Sequence, residues 1–185
     1  MANTKPTSDG IQFDSKEEVA FFRWLKDAKE FGLVESFETS CHRWQLTDEV
    51  KVSGKTILRA SYYTPDFYIT YTPTGEEVFG DLYVAKLPFF FGLGREVIVD
   101  VKASFNRFGG SRIFAMHQKM LYESHQRLVQ EVVTDMLFQA TWIPEDERYS
   151  PKKRIPRDKY KAFKTVRQFL GLEEQANGSA KSLFG

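Results

Sequence analysis

The sequence predicts an α/β (α+β) fold in which a central mixed β-sheet is flanked by helices, and three observations predict it. An early segment carries apolar residues at helical spacing, a group of short β-prone runs follows it, and helical and strand-like segments then alternate. With 185 residues, 42% of them hydrophobic, the chain suits one domain with a core of its own. Residues 1–12 read as a polar, flexible N-terminus, 13–170 as the single domain, and 171–185 as a flexible tail.

The first helix begins near Asp14 and Ser15 and runs to about Phe31, where Gly32 supplies a left-handed stop. Phe21, Phe22, Leu25 and Ala28 mark its buried face. Strand-like pieces follow from Glu35 to Phe37 and from Cys41 to Leu46, with a turn at Gly54. A run from Ile57 to Tyr63 then leads into Pro65-Asp66-Phe67-Tyr68-Ile69-Thr70-Tyr71. Pro73-Thr74-Gly75 reads as a hairpin turn. Residues 72–95 read as an insertion or flap, aromatic-rich from Val78 to Phe91 and broken by Gly80 and Pro88. The strand Glu96 to Lys102 comes next. A second helix runs from Arg112 to about His125, with Ile113, Met116, Met120 and Leu121 at helical spacing. Leu128 to Val133 either continues that helix or forms a strand, and periodicity alone does not choose. Leu137 to Ile143 reads as a further strand ending at Pro144. Residues 144–170 form a basic segment and a last helix, from about Asp158 to Leu170, stopped by Gly171.

Lys plus Arg at 26 nearly balance Asp plus Glu at 25, so no global basic field advertises nucleic acid. The run from Ser150 to Lys161 is locally basic, with Lys152, Lys153 and Arg154 at its head and aromatic residues interleaved. Such a run tracks phosphates, or is simply a solvated loop. A single cysteine, Cys41, excludes an internal disulfide and fits a reducing compartment and a small buried residue. No signal-peptide core opens the chain, and no window approaches the roughly 20 apolar residues of a membrane span. A soluble, intracellular, cytoplasmic protein without a membrane partner is therefore expected. The three histidines, His42, His117 and His125, are scattered without zinc spacing.

Two motifs carry the chemistry: Pro65-Asp66, and Asp100-Val101-Lys102 at the end of Glu96-Val97-Ile98-Val99. In a strand, side chains two apart share a face. Asp100 and Lys102 then project together, while Val97, Val99 and Val101 point to the opposite, buried side. Carboxylates beside an ammonium suit hydrolysis of phosphodiesters at a divalent cation. The plain alternative is a surface ion pair at a strand end. Asp66 could be an ordinary turn aspartate, but Tyr62-Tyr63-Thr64 and Phe67-Tyr68-Ile69 are strong strand formers, and Pro65 then marks a strand start or a bulge. Glu18 precedes Phe21, Phe22 and Leu25 by helical spacings and shares their face, whereas Glu17 lies about 100° round the helix. Ser15-x-x-Glu18 is equally a capping box, as is Asp14-x-x-Glu17. Asn106 to Arg112, with Arg107 and Arg112 ahead of a helix, suits a phosphate-binding loop or a plain connection.

Taken in order, Glu18, Pro65-Asp66 and Asp100-Val101-Lys102 resemble the PD-(D/E)XK nuclease superfamily. Within it, Phe13-Asp14-Ser15-Lys16-Glu17-Glu18, Tyr63-Thr64-Pro65-Asp66-Phe67-Tyr68 and Val97-Ile98-Val99-Asp100-Val101-Lys102 are similar to small phage Holliday-junction-resolvase-like endonucleases and to transposon-end nucleases. The resemblance covers about residues 13–125, and the long stretch from Thr72 to Arg95 departs from it. It implies a restriction-endonuclease-like core and a site in which Asp66 and Asp100 bind Mg2+ or Mn2+ with the Val101 carbonyl. Lys102 would orient or activate the attacking water and Glu18 would complete the site. Gln118 and Tyr122 resemble a glutamine-x-x-x-tyrosine motif of the exonuclease branch, and are also an ordinary i, i+4 helix pair. Arg107, Arg112, Gln118, Lys152, Lys153 and Arg154 are the expected substrate contacts.

The activity so implied is a Mg2+-dependent DNA endonuclease acting on branched or Holliday-junction DNA, as in phage recombination. A homodimer is expected with it, formed through Leu87 to Phe91. The alternatives are a non-catalytic DNA-binding or assembly protein on a nuclease-like fold, and an exonuclease or restriction-like nuclease.

Overall fold

The computed structural model describes residues 5–40, 42–84, 95–103, 110–150 and 153–172. Cys41, the Leu87 to Phe91 segment, Arg107, Lys152 and the tail from Glu173 lie outside the described residues. The elements are β1 (Thr7–Ser8), β2 (Ile11–Gln12), α1 (Lys16–Glu30), β3 (Val34–Thr39), β4 (Trp44–Thr47), β5 (Val50–Val52), β6 (Lys55–Leu58), β7 (Ser61–Tyr63) and β8 (Phe67–Tyr71). They continue with α2 (Pro73–Val84), β9 (Glu96–Lys102), α3 (Gly110–His125), β10 (Val129–Val133), α4 (Thr134–Ala140), α5 (Glu145–Arg148), a 3-10 turn (Asp158–Tyr160) and α6 (Val166–Phe169). The fold is α+β, around a four-stranded mixed sheet.

That sheet has the order β10-β9-β8-β3. β3 and β8 are antiparallel, as are β8 and β9, while β9 and β10 run parallel. A parallel pair needs a crossover, and α3 supplies it. The pleat then separates two layers. Val97, Val99 and Val101 of β9 enter a large core with Phe21, Trp24 and Leu25 of α1, whereas Ile98 enters a smaller cluster with Leu46, Leu121 and Val129. Asp100, two residues beyond Ile98, therefore projects from the face opposite α1.

α1 starts where the sequence places it because Ser15 adopts an extended conformation and its hydroxyl accepts the Glu18 N–H at 3.1 Å. It ends at Gly32, whose φ of +72° few other residues accept. Its buried face is aromatic. Phe21 meets Phe67 edge-on at 4.9 Å, and Trp24 stacks on Trp142 at 4.8 Å while donating to the Thr141 hydroxyl at 3.0 Å. Full burial of each such ring contributes on the order of 1.5–3 kcal/mol.

Four sequence expectations are corrected. Pro73-Thr74-Gly75 is not a hairpin turn but the first turn of α2: Thr72 caps it by accepting the Gly75 N–H at 3.0 Å, and proline is suited to the next position. The Leu137 to Ile143 stretch is largely α4, because Thr134, Leu137, Phe138 and Thr141 are buried at helical spacing. The last helix is broken. Thr165 has ψ of 165° and opens α6 afresh through a capping box with Gln168, leaving only the 3-10 turn before it. On α3, Leu121 is buried as its spacing implies, but Ile113 and Met116 are 57% and 50% exposed, beyond the reach of the smaller cluster. The open question at Leu128 to Val133 resolves as a strand. Among the described residues no helix is long and apolar enough to cross a membrane.

Gly75 is required for close approach rather than for turn geometry. A Cβ there would stand 1.8 Å from the Leu33 carbonyl oxygen, an atom that also accepts the Thr72 N–H at 3.1 Å. Gly75→Ala should therefore force α2 away from the β3 entry and destabilise the fold by on the order of 1–3 kcal/mol, as overpacking does. Urea unfolding midpoints measure this, and an unchanged midpoint would show that α2 does not dock on Leu33.

Candidate active site

The acids meet where β8 begins. Phe67 pairs with Val99, yet the Asp66 N–H also donates to the Val99 carbonyl at 3.0 Å, so two successive residues stand opposite one. That is a β-bulge, and it re-aims the Asp66 side chain. The Asp66 carboxylate turns toward β9 and accepts the Val101 N–H at 2.6 Å. Pro65 precedes it with no N–H to donate, so it cannot continue the ladder toward the Val101 carbonyl.

Asp100 is 7% exposed and its carboxylate is paired with the Lys102 ammonium at 2.5 Å. The third strand adds an acid that sequence reading missed. β10 places Glu131 in register with Asp100, and Val133 in register with Lys102. Neighbours in register share a face, so Glu131 flanks the Asp100–Lys102 pair. A glutamate inside Val129-Gln130-Glu131-Val132-Val133 was the available signal, but it has meaning only once the segment is known to be a strand beside β9.

The electrostatics are those of like charges held together away from water. Burial first, then the neighbouring Asp100 carboxylate, push the Asp66 carboxyl up to about 8; the Val101 N–H opposes the rise, and Glu18 adds to it. Burial also raises the Glu131 carboxyl, against the pull of Lys102 and with a further push from Asp100. The Tyr63 hydroxyl lies buried beside this cluster, with the Asp100 carboxylate as a neighbouring acceptor. Burial and the charges of Asp100, Asp66 and Glu131 hold it in its neutral form. Its ring lies 5.6 Å from that of His117 on α3.

Glu18 serves two ends. Its carboxylate accepts the Ser15 hydroxyl at 2.8 Å and the Asp14 N–H at 3.0 Å, the capping arrangement, while its charge is felt at Asp66. The other expected contacts are dispersed. Gln118 accepts the Val129 N–H at 2.7 Å and donates to the Arg127 carbonyl at 3.1 Å, which fastens α3 to the start of β10. Arg112 is exposed on the first turn of α3, and Lys153 is exposed. Arg154 pairs with Asp146 at 3.3 Å and lies over the Tyr149 ring. The other histidines are structural: His42 stacks on Trp44, and His125 bonds the Gln45 carbonyl at 2.7 Å.

Among the described residues, no three His, Cys, Asp or Glu side chains converge to hold an ion unaided. The site offers instead two adjacent carboxylates, Asp66 and Asp100, and a backbone carbonyl at Val101. Such a set suits a hard cation that keeps several waters and shares its remaining positions with a phosphate.

A family described as "Protein of unknown function (DUF1064)" matches residues 2–82, a span that contains Glu18 and Asp66 and ends before β9. No curated protein and no solved structure matches the chain.

The raised Asp66 carboxyl has a signed consequence. Between its unfolded value near 3.8 and its folded value of about 8, the folded state holds a proton that the unfolded state has lost, so stability falls as pH rises through this window. Asp66→Asn keeps an acceptor for the Val101 N–H and removes the charge. In chelator, the drop in urea midpoint between pH 5 and pH 8.5 should be smaller for this variant than for the parent protein. Asp27, raised to about 6 chiefly by burial, slopes both proteins alike and cancels in the comparison. Equal drops would mean that Asp66 does not carry the strain.

Proposed function

We propose that the chain is a metal-dependent nuclease that hydrolyses phosphodiester bonds in DNA. One observation carries the reading: Asp66 lies 35 residues before Val101 in sequence, yet its carboxylate is bonded to β9 beside Asp100, which is itself paired with Lys102. Burying two carboxylates together is costly unless something positive is to be bound. In this reading Asp66, Asp100 and the Val101 carbonyl hold Mg2+, with Mn2+ as its substitute, and Glu18 adds negative charge from the start of α1. The bound cation would neutralise the phosphate and ease deprotonation of water. Lys102 holds a proton-bearing ammonium at the mouth of the pair, where it stabilises the charge that develops on the phosphate. Glu131, in register with Asp100, adds a further negative charge beside Lys102.

Branched or four-way-junction DNA and a homodimer cutting two strands symmetrically belong to the same proposal by the resemblance of Glu18, Pro65-Asp66 and Asp100-Val101-Lys102, and a reducing compartment inside the cell belongs to it by the single cysteine. A second, non-catalytic reading draws on the absence of a three-ligand cluster among the described residues. It predicts DNA binding indifferent to Mg2+ and to the acids.

Cleavage of four-way-junction, flap, linear duplex and single-stranded DNA, assayed side by side in Mg2+ and Mn2+, decides between them. Asp100→Ala should abolish cleavage, and Lys102→Ala should lower it by about 10²–10³-fold, the usual loss of one preorganised charge. Binding without cleavage by the parent protein on every substrate and with both metals would sink the nuclease reading.

A further inference from the structure

A cavity of about 490 Å³ opens at the same end of the sheet. Its lining includes Ala103 and Thr134, the residues that follow Lys102 and Val133, and Lys102 and Val133 close the parallel β9/β10 pair in register. Crevices beyond the carboxyl ends of parallel strands are where such sheets take their ligands. Its floor is apolar: Val19 and Ala20 of α1 face Phe138 of α4 and the ring of Tyr160.

The walls are charged. Lys16, Arg23, Arg157 and Lys159 stand against Glu17, Asp135 and Glu147, which leaves one positive charge in excess. Glu147 is 8% exposed and is held between Arg23 at 2.5 Å and Arg157 at 3.5 Å. This carboxylate fixes two guanidinium groups, and each retains N–H donors for a further anion. Lys159 is tied to Asp135 in the same way. Lys16 is exposed and has no ion-pair partner among the described residues.

We propose that this cavity receives one unpaired nucleotide of the strand being cut, an inference that rests on the nuclease reading above. An apolar floor suits a base, and fixed guanidinium groups suit the phosphodiester beside it. The single excess charge matches the single charge of that phosphodiester. A space of this size admits one nucleotide and excludes a duplex. The lining reaches Ala103, the residue after Lys102, on the face of the sheet that α1 covers, so a strand seated here would pass round the end of β9 to bring its next phosphodiester to the acids on the opposite face. The substrate class is accordingly DNA with an unpaired strand, an overhang, flap or branch, in preference to blunt duplex.

The test uses the full chain in chelator, where no strand is cut. Fluorescence anisotropy compares a duplex carrying a short unpaired overhang with the same duplex made blunt, and a deoxynucleoside monophosphate serves as competitor. The overhang should bind about tenfold more tightly, a factor within what one stacked base supplies. Lys16→Glu and Ala103→Trp, both at exposed positions, should bring that ratio to about one, and thermal melts check that each variant folds. Equal affinity for both duplexes in the parent protein, or a ratio untouched by both variants, overturns the proposal. An overhang preference that vanishes in these variants, in a protein that cuts nothing in Mg2+ or Mn2+, overturns the nuclease reading alone and leaves the cavity as a nucleotide site.

Discussion

The acidic end of the sheet depends on how one residue is bonded into its neighbours. Asp66 donates its N–H to Val99, its carbonyl accepts the Ser40 N–H at 2.9 Å, and its side chain accepts the Val101 N–H. Three hydrogen bonds thus join β3, β8 and β9 through a single aspartate. A net intramolecular hydrogen bond contributes roughly 0.5–1.5 kcal/mol, and more when the acceptor is ionised. Here it opposes the burial and the neighbouring carboxylate that raise the Asp66 carboxyl. Pro65 makes the arrangement possible, because a residue with an N–H at that point would compete to extend the ladder.

The apolar layer keeps the acids from relaxing apart. Phe67, next to Asp66, is 1% exposed and packs against Phe13 and Phe21; Val99 and Val101, on either side of Asp100, are buried as well. Each acid is therefore flanked along its strand by core residues, and separating the carboxylates would mean withdrawing those residues from α1. Close-packed interiors resist such shifts. The repulsion is consequently relieved by a proton on Asp66 rather than by movement of the strands.

Legibility in the sequence followed the range of the interactions involved. α1 was readable at both ends because Ser15 and Gly32 act locally, and the facing of β9 was readable because Val97, Val99 and Val101 alternate with Ile98 and Asp100. Pro65 was readable as a bulge or strand start for the same reason. Pro73-Thr74-Gly75 misled because the need for glycine there comes from Leu33, some forty residues earlier in the chain and far outside any turn window. Leu137 to Ile143 misled because its apolar residues serve a helix that packs under Tyr160 and against α1. Glu131 acquires meaning only from parallel pairing with β9, which no local pattern displays. Glu18 was readable as the capping carboxylate of Ser15-x-x-Glu18, and its charge is also felt at Asp66.

The basic C-terminal run shows why charge composition was a poor guide to this protein. Arg154 pairs with Asp146, Arg157 with Glu147, Lys159 with Asp135 and Lys161 with Asp158. Most of its cations are therefore answered within the fold, in keeping with a net charge of only +1. A phosphate backbone approaching this molecule would meet few free counter-charges at long range, and the salt-dependent attraction that broadly basic proteins exert would be weak. Were nucleic acid the ligand, its recognition would be left to short-range features at one end of the sheet. There, paired carboxylates, a lysine and fixed arginines are already ordered by the protein's own ion pairs.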